Sequence, residues 1–230
     1  AEEMLYQALS GVRATLDALG VALIGGHTLA SEALSVGLSI TGDGPEHEAL
    51  MRQSGARPGD TLWLTRPLGT GVVLAADMRG EARGAWVAAA QASMLRTHEV
   101  GSRLALEAGT HAATDVTGFG LAGHLSNLLR PAGLSARIDR TAIPLLPGAR
   151  ELFLRGLRST AHASNRASFQ ARVEGASELD EAWLYDPQTA GGLLLAVATA
   201  VGPKLAAAFL AAGEPPIACI GLVGESGERQ

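Results

Sequence analysis

A single cysteine, Cys219, is all the thiol chemistry that these 230 residues carry. One cysteine excludes a disulfide framework and a cysteine-rich metal site. Its setting, the apolar run Ile217-Ala218-Cys219-Ile220, has no neighbouring base to activate it and predicts a buried structural thiol. Basic residues are also short: 18 Lys plus Arg stand against 23 Asp plus Glu, for a net charge of −5. A duplex-binding protein shows a basic surplus or stripe, so no nucleic acid is expected as partner. The longest apolar runs, such as Leu193 to Ala198, fall far short of the roughly 20 residues that span a bilayer. No membrane is therefore expected, and no charged-then-apolar leader points to secretion. The six histidines have neither H-x-x-x-H nor H-x-H spacing, which argues against a local zinc site. A G-x-S-x-G elbow and a G-x-x-x-x-G-K-[ST] loop are missing too, which disfavours a serine hydrolase and a P-loop NTPase. The expectation is a globular, cytoplasmic protein.

What is present is core material. Apolar residues make up 47% of the chain and charged residues 18%, a balance that folds. With aromatics at only 4%, that core must be built from Ala, Leu and Val. Glycine clusters in short phrases: Gly25-Gly26, Gly69-Thr70-Gly71, Gly118-Phe119-Gly120 and Gly191-Gly192. Such clusters mark tight turns and close backbone approaches.

Leu5, Leu9, Val12, Leu16 and Leu19 step by four and three along one helix face, and Gly20 stops the helix. Nothing before it covers that stripe, so an upstream part of a longer protein is expected. Val21 to Ile24 and Leu34 to Thr41 read as strands, the second ended by Asp43-Gly44-Pro45. A polar connection, 45–60, leads to a strand at Thr61 to Thr65. Helices follow over Gly71 to Met78 and Ala82 to Glu107. A strand, His111 to Val116, precedes a helix that runs to Leu129 and is stopped by Pro131; Ala136 to Asp139 forms the next strand. Residues 144–179 read as short helices and loops. Strand 193–198, helix 201–212 and strand 217–223 close the chain. Strands and helices interleave without strict alternation, which favours an α+β (mixed α/β) fold with a mixed sheet packed by helices.

The sharpest chemical phrase is Thr114-Asp115-Val116-Thr117-Gly118-Phe119-Gly120-Leu121-Ala122-Gly123-His124. Glycines 118, 120 and 123 fit G-x-G-x-x-G between a strand and a helix, and Asp139 ends the next strand, as a dinucleotide site requires. Against that, the Asp115 carboxylate would repel an incoming pyrophosphate. A second reading puts Mg²⁺ between Asp115 and a phosphate, with backbone N–H groups of the bend taking phosphate oxygens. In a third, Asp115 and Thr117 merely cap the helix. The residues alone leave all three open. Gly25-Gly26-His27-Thr28 could offer N–H groups to an anion, Asp186 to Gly192 reads as a tight turn or a ligand contact, and Leu64 to Gly71 as a solvated turn carrying Arg66.

Taken in order, these phrases resemble the selenophosphate synthetases (selenide, water dikinases) of the aminoimidazole ribonucleotide synthetase superfamily. Gly25 to Thr28, Leu64 to Val72, Thr114 to Leu125, Ile143 to Gly148 and Asp186 to Leu194 are similar to that family's phrases at similar intervals. The resemblance implies a synthetase-like C-terminal domain over 26–230, preceded in 1–25 by the last helix and strand of an N-terminal ATP-binding domain. It implies ATP and selenide as substrates, selenophosphate, phosphate and AMP as products, Mg²⁺ as cofactor and a homodimer. Asp115 matches the family's metal carboxylate. Gly25, Gly26, His27 and Thr28 match a loop that reaches the nucleotide of the dimer mate, and Thr117, Gly118 and Gly120 lie in the phosphate bend.

The departures are specific. The family's Cys or selenocysteine nucleophile, its following Lys and further metal aspartates precede the matched region, and Cys219 does not occupy that place. His98 stands where the family usually has Asn, and His162-Ala163-Ser164-Asn165 replaces a phrase that usually begins with Thr. One carboxylate cannot hold the metals of a triphosphate cleaved twice, so no catalytic residue is assigned and the chain is expected inactive alone. The alternatives are another ATP-using enzyme of the superfamily and a non-catalytic assembly or regulatory module that keeps the fold.

Overall fold

A computed structural model describes residues 2–42 and 50–225, in two units: Ala1–Gly44 and Pro45–Gln230. In the first, helix α1 (Glu2–Ala18) follows the four-and-three apolar spacing, with Glu2 and Glu3 in its first turn, where the helix dipole favours negative charge. Gly20, at φ 65°, ends it. The strands expected at Val21 to Ile24 and Leu34 to Thr41 do not form. Residues 21–42 carry no strand assignment, and their side chains are exposed, Ile24 at 93%. Alternating β-formers make a strand only where a second strand accepts their N–H groups, and this unit has none among its described residues. The expected stop at Asp43-Gly44-Pro45 lies outside the described residues, as does the start of the polar connection.

The second unit is built on five strands: β1 (Asp60–Leu64), β2 (Ala112–Asp115), β3 (Leu134–Ile138), β4 (Leu193–Ala198) and β5 (Ala218–Glu225). Their order is β2-β4-β1-β5-β3, and every pairing is antiparallel. The α+β class read from the sequence holds, while the sheet, expected to be mixed, is antiparallel in all its described pairings. Strand β4 explains its own composition: Leu194 and Ala196 face one core while Leu193, Leu195 and Val197 face another. A strand covered on both faces reads as a continuous apolar run.

Among the described residues eight α-helices complete this unit: α2 (Thr70–Met78), α3 (Gly84–Met94), α4 (Glu99–Glu107), α5 (Gly120–Leu129), α6 (Ala149–Leu154), α7 (His162–Phe169), α8 (Glu178–Leu184) and α9 (Gly202–Ala211). The larger core joins Leu62, Leu64 and Leu194 of the sheet to Val72, Leu121, Leu152 and Tyr185. The smaller joins Ala113, Leu195 and Val197 to Ala105, Leu205 and Phe209. Among the described residues no helix is long and apolar enough to cross a membrane.

Three local expectations are corrected. The helix expected over Ala82 to Glu107 breaks between Met94 and Glu99. The cause is 30 residues away in sequence: Arg66 Nη1 donates to Ser93 O, and Nη2 donates to Arg96 O and Thr97 O at 2.6 and 2.8 Å. These carbonyls take a guanidinium in place of the next helical turn. Arg66 is thus no part of a solvated turn; it is 6% exposed. Cys219, expected to be buried, is exposed. In β5 Ile220 and Val223 are the buried residues, and the second layer of helices covers β4 and β2 without extending over Cys219.

Candidate functional site

Strand β2 ends at Asp115, the one exposed residue of an otherwise buried strand. Two residues on, the chain bends into α5, and the bend is set by three contacts. Thr117 O accepts from Gly120 N–H at 3.0 Å and from Gln188 N–H at 3.0 Å. Gly118 O accepts from Asn165 Nδ2 at 2.8 Å. Gly120 holds φ 69°, and a side chain there would press on Leu184 O (2.8 Å) and Asp186 O (3.0 Å). Only glycine meets both demands.

His124, one turn into α5, reaches back to the same bend. Its Nε2 accepts from the Thr117 N–H at 3.0 Å and lies 3.2 Å from Thr117 Oγ1. An N–H can only donate, so Nε2 is unprotonated and the ring proton sits on Nδ1, 3.5 Å from Thr114 Oγ1. Burial holds the His124 imidazole below the ordinary histidine range, with Asp115 pulling the other way. His98, at the start of α4, is likewise held down by burial and by the Arg66 guanidinium, against Asp115 and the Gly191 carbonyl. Two neutral imidazoles therefore flank the Asp115 carboxylate electrostatically.

The arrangement bears on each of the three sequence readings. A dinucleotide site needs a parallel βαβ unit with its acidic residue on the adjacent strand. Here the sheet is antiparallel, β3 lies at the opposite edge from β2, and Asp139 is spent on Thr141 N and Oγ1. Plain capping fails as well: α5 has no side-chain cap, and Thr117 is engaged with His124. The Asp115 carboxylate accepts no hydrogen bond from any described residue, and the exposed N–H groups of Gly118 and Phe119 have no protein acceptor there. A free carboxylate beside two free N–H donors at a helix N-terminus can hold a cation and an anion side by side.

The donor set fits magnesium as one hard oxygen ligand. That ion takes one or two protein carboxylates and completes its shell with phosphates and water. No group of three His, Cys, Asp or Glu side chains that could hold a metal occurs among the described residues, so a full protein cage is not offered.

The Asp186 to Gly192 phrase proves structural. Gln188 Oε1 accepts from Gly69 N (2.9 Å) and from Thr70 N and Oγ1 (3.2 Å each), and so caps α2. Asp186 Oδ2 accepts from Val72 N at 3.3 Å and from Gln188 Nε2 at 3.0 Å, while Oδ1 is buried with no partner. Burial pushes this carboxyl up to about 7. Gly191 lies too close to Val116 O to carry a side chain. The loop therefore clamps the Asp115 bend from one side and α2 from the other.

Of the residues singled out in the sequence, Asp115, Thr117, Gly118 and Gly120 come together at this bend. Gly25, Gly26, His27 and Thr28 belong to the first unit, are exposed, and lie in no regular element. Sequence reasoning missed His124, Asn165 and Gln188 as the residues that fix the bend. The signal for His124 was its place seven residues after Thr117; the other two act from distant parts of the chain, Asn165 across 47 residues, and left none.

The family described as "AIR synthase related protein, C-terminal domain" matches residues 57–230. The chain belongs to that family. It is 36% identical to a selenide, water dikinase of Aeromonas hydrophila over 93% of its length, and 37% identical to one of Dechloromonas aromatica over 97%. It spans less than two thirds of each relative, 61% and 65% respectively. A crystal structure of hydrogenase maturation protein HypE in complex with ATP shares the fold at TM-score 0.54 and 20% identity, over 77% of this chain and 46% of that one.

Proposed function

We propose that this chain is the C-terminal part of a selenophosphate synthetase, which makes selenophosphate, phosphate and AMP from ATP, selenide and water. Its identity of 36–37% to selenide, water dikinases over 93–97% of its length carries the reading. The bend supports it by offering what a triphosphate needs. Asp115 supplies one carboxylate to Mg²⁺, and the Gly118 and Phe119 N–H groups meet phosphate oxygens. Thr117 and Gly120 hold the bend in shape, the first through His124. When bound, the ion neutralises triphosphate charge, which is most of what a protein contributes to phosphoryl transfer.

The nucleophile and the other metal ligands come from outside residues 26–230 in this reading. Residues 1–25 close an N-terminal ATP-binding domain that carries the nucleophile and the other metal ligands. Gly25, Gly26, His27 and Thr28 reach the nucleotide of a second copy in a cytoplasmic homodimer. The purified chain incubated with ATP, Mg²⁺ and selenide is therefore expected to yield no AMP above the protein-free blank by phosphorus NMR. AMP formed at the rate of a complete enzyme would refute the division of labour proposed here.

A further inference from the structure

A cavity of about 440 Å³ opens between the α6–α7 connection and α8, lined by Arg158, His162, Arg166, Ala176, Glu178 and Glu181. Five of those six side chains are polar or charged, which excludes an apolar occupant. Two of the charges answer each other: Arg166 Nε donates to Glu181 Oε2 at 2.8 Å. The other two do not. Arg158 turns Nη1 onto Phe153 O and Leu157 O, lies over the Phe153 ring, and forms no ion pair within 4.0 Å among the described residues. Burial draws its guanidinium below the ordinary arginine range, with Glu178 and Asp186 as counter-charges that make no direct contact with it. Glu178, in the first turn of α8, is exposed and likewise has no ion-pair partner among the described residues.

A buried imidazole lines the same cavity, with the Tyr185 ring packed against it. His162 is 8% exposed, and its Nε2 is 3.1 Å from Glu181 O. A carbonyl only accepts, so the proton is on Nε2, and Nδ1 keeps a lone pair with no partner among the described residues. Burial holds this imidazole neutral, below the ordinary histidine range. Tyr185 stands edge-on to His162 with ring centroids 6.1 Å apart. Its hydroxyl is fully buried, unpartnered, and within electrostatic reach of Glu181 and Arg166. The Nδ1 lone pair, on a buried side chain that itself lines the cavity, is the unmet group that points to an absent partner.

We infer that this cavity binds a small zwitterion of the free α-amino acid class, its carboxylate on Arg158 and its ammonium group between Glu178 and the His162 Nδ1 lone pair. A simple anion leaves Glu178 and Nδ1 unanswered, and a simple cation leaves Arg158 so. The site is joined to the Asp115 bend through α7, because Asn165 Nδ2 donates both to Gly118 O and to Tyr185 O.

The test titrates the isotopically labelled chain with L-alanine at neutral pH, following the His162 and Tyr185 ring signals by NMR. Propionate and inorganic phosphate serve as comparison probes. Saturable shifts with L-alanine, weaker by about tenfold or more with propionate and in Glu178→Gln, are expected from losing one charge-assisted hydrogen bond. Arg158→Met should abolish them too, but it also strips Phe153 O and Leu157 O. Glu178→Gln, on an exposed side chain, is therefore the variant that decides. No saturable shift with L-alanine, equal binding of propionate or phosphate, or L-alanine binding unchanged in Glu178→Gln would each overturn the proposal.

Discussion

Replacing Asp186 by Asn should flatten the pH dependence of stability, and the structure supplies the size of the effect. In the native state the Asp186 carboxyl is pushed up to about 7 by burial. Unfolded, it returns to the ordinary carboxylate value of about 3.9. A group whose folded value is raised favours the folded state when protonated. Its contribution is complete below about pH 3.9 and is lost as the pH rises through about 7. The difference of about three pKa units, at 1.36 kcal/mol each, makes this one carboxylate cost about 4 kcal/mol above pH 7 relative to its neutral form. Asn keeps an oxygen for Val72 N–H and Gln188 Nε2, and it carries no charge to bury. Urea unfolding of both proteins at pH 5, 6.5 and 8 measures the difference between them. Titrations common to both, including those of the buried histidines, cancel in that difference. Asp186→Asn should gain on the wild type steadily from pH 5 to pH 8. Parallel curves would refute the argument, because the Asp186 carboxyl would then be as easily ionised folded as unfolded.

Two further outcomes follow from the bend. Gly120→Ala forces a side chain into a left-handed conformation against Leu184 O and Asp186 O, and should cost about 1–3 kcal/mol in urea unfolding. His124 should show an Nδ1–H tautomer in nitrogen-detected NMR. Because burial lowers its folded value, the stability it contributes is complete above about pH 6.5 and lost as the pH falls through that lowered value. An Nε2–H signal would contradict the Thr117 hydrogen bond.

Legibility in the sequence followed the range of the interactions. Strand β4 was readable because both its faces are buried, and α1, β1 and α9 because each carries its own period or punctuation. The Asp115 to Gly120 phrase announced a strand-to-helix bend, and its three readings separated only when the antiparallel sheet put Asp139 at the far edge. Long-range causes stayed hidden. The break before α4 depends on Arg66, and the cap of α2 on Gln188, 119 residues away from Gly69. The segments 21–24 and 34–41 had strand composition without a strand to pair with. Cys219 had an apolar neighbourhood in sequence but not in space, since helices cover only part of that face of the sheet.

The most direct measurement is AMP formation from ATP and selenide by the complete protein carrying Asp115→Asn, read together with its thermal midpoint. Asp115 is exposed and accepts no hydrogen bond from the described residues, so stability should move by no more than about 0.5 kcal/mol. Magnesium-dependent turnover should fall roughly 100-fold or more, the scale on which one charge-stabilising group counts. Turnover that survives the substitution undiminished would contradict the role given to Asp115.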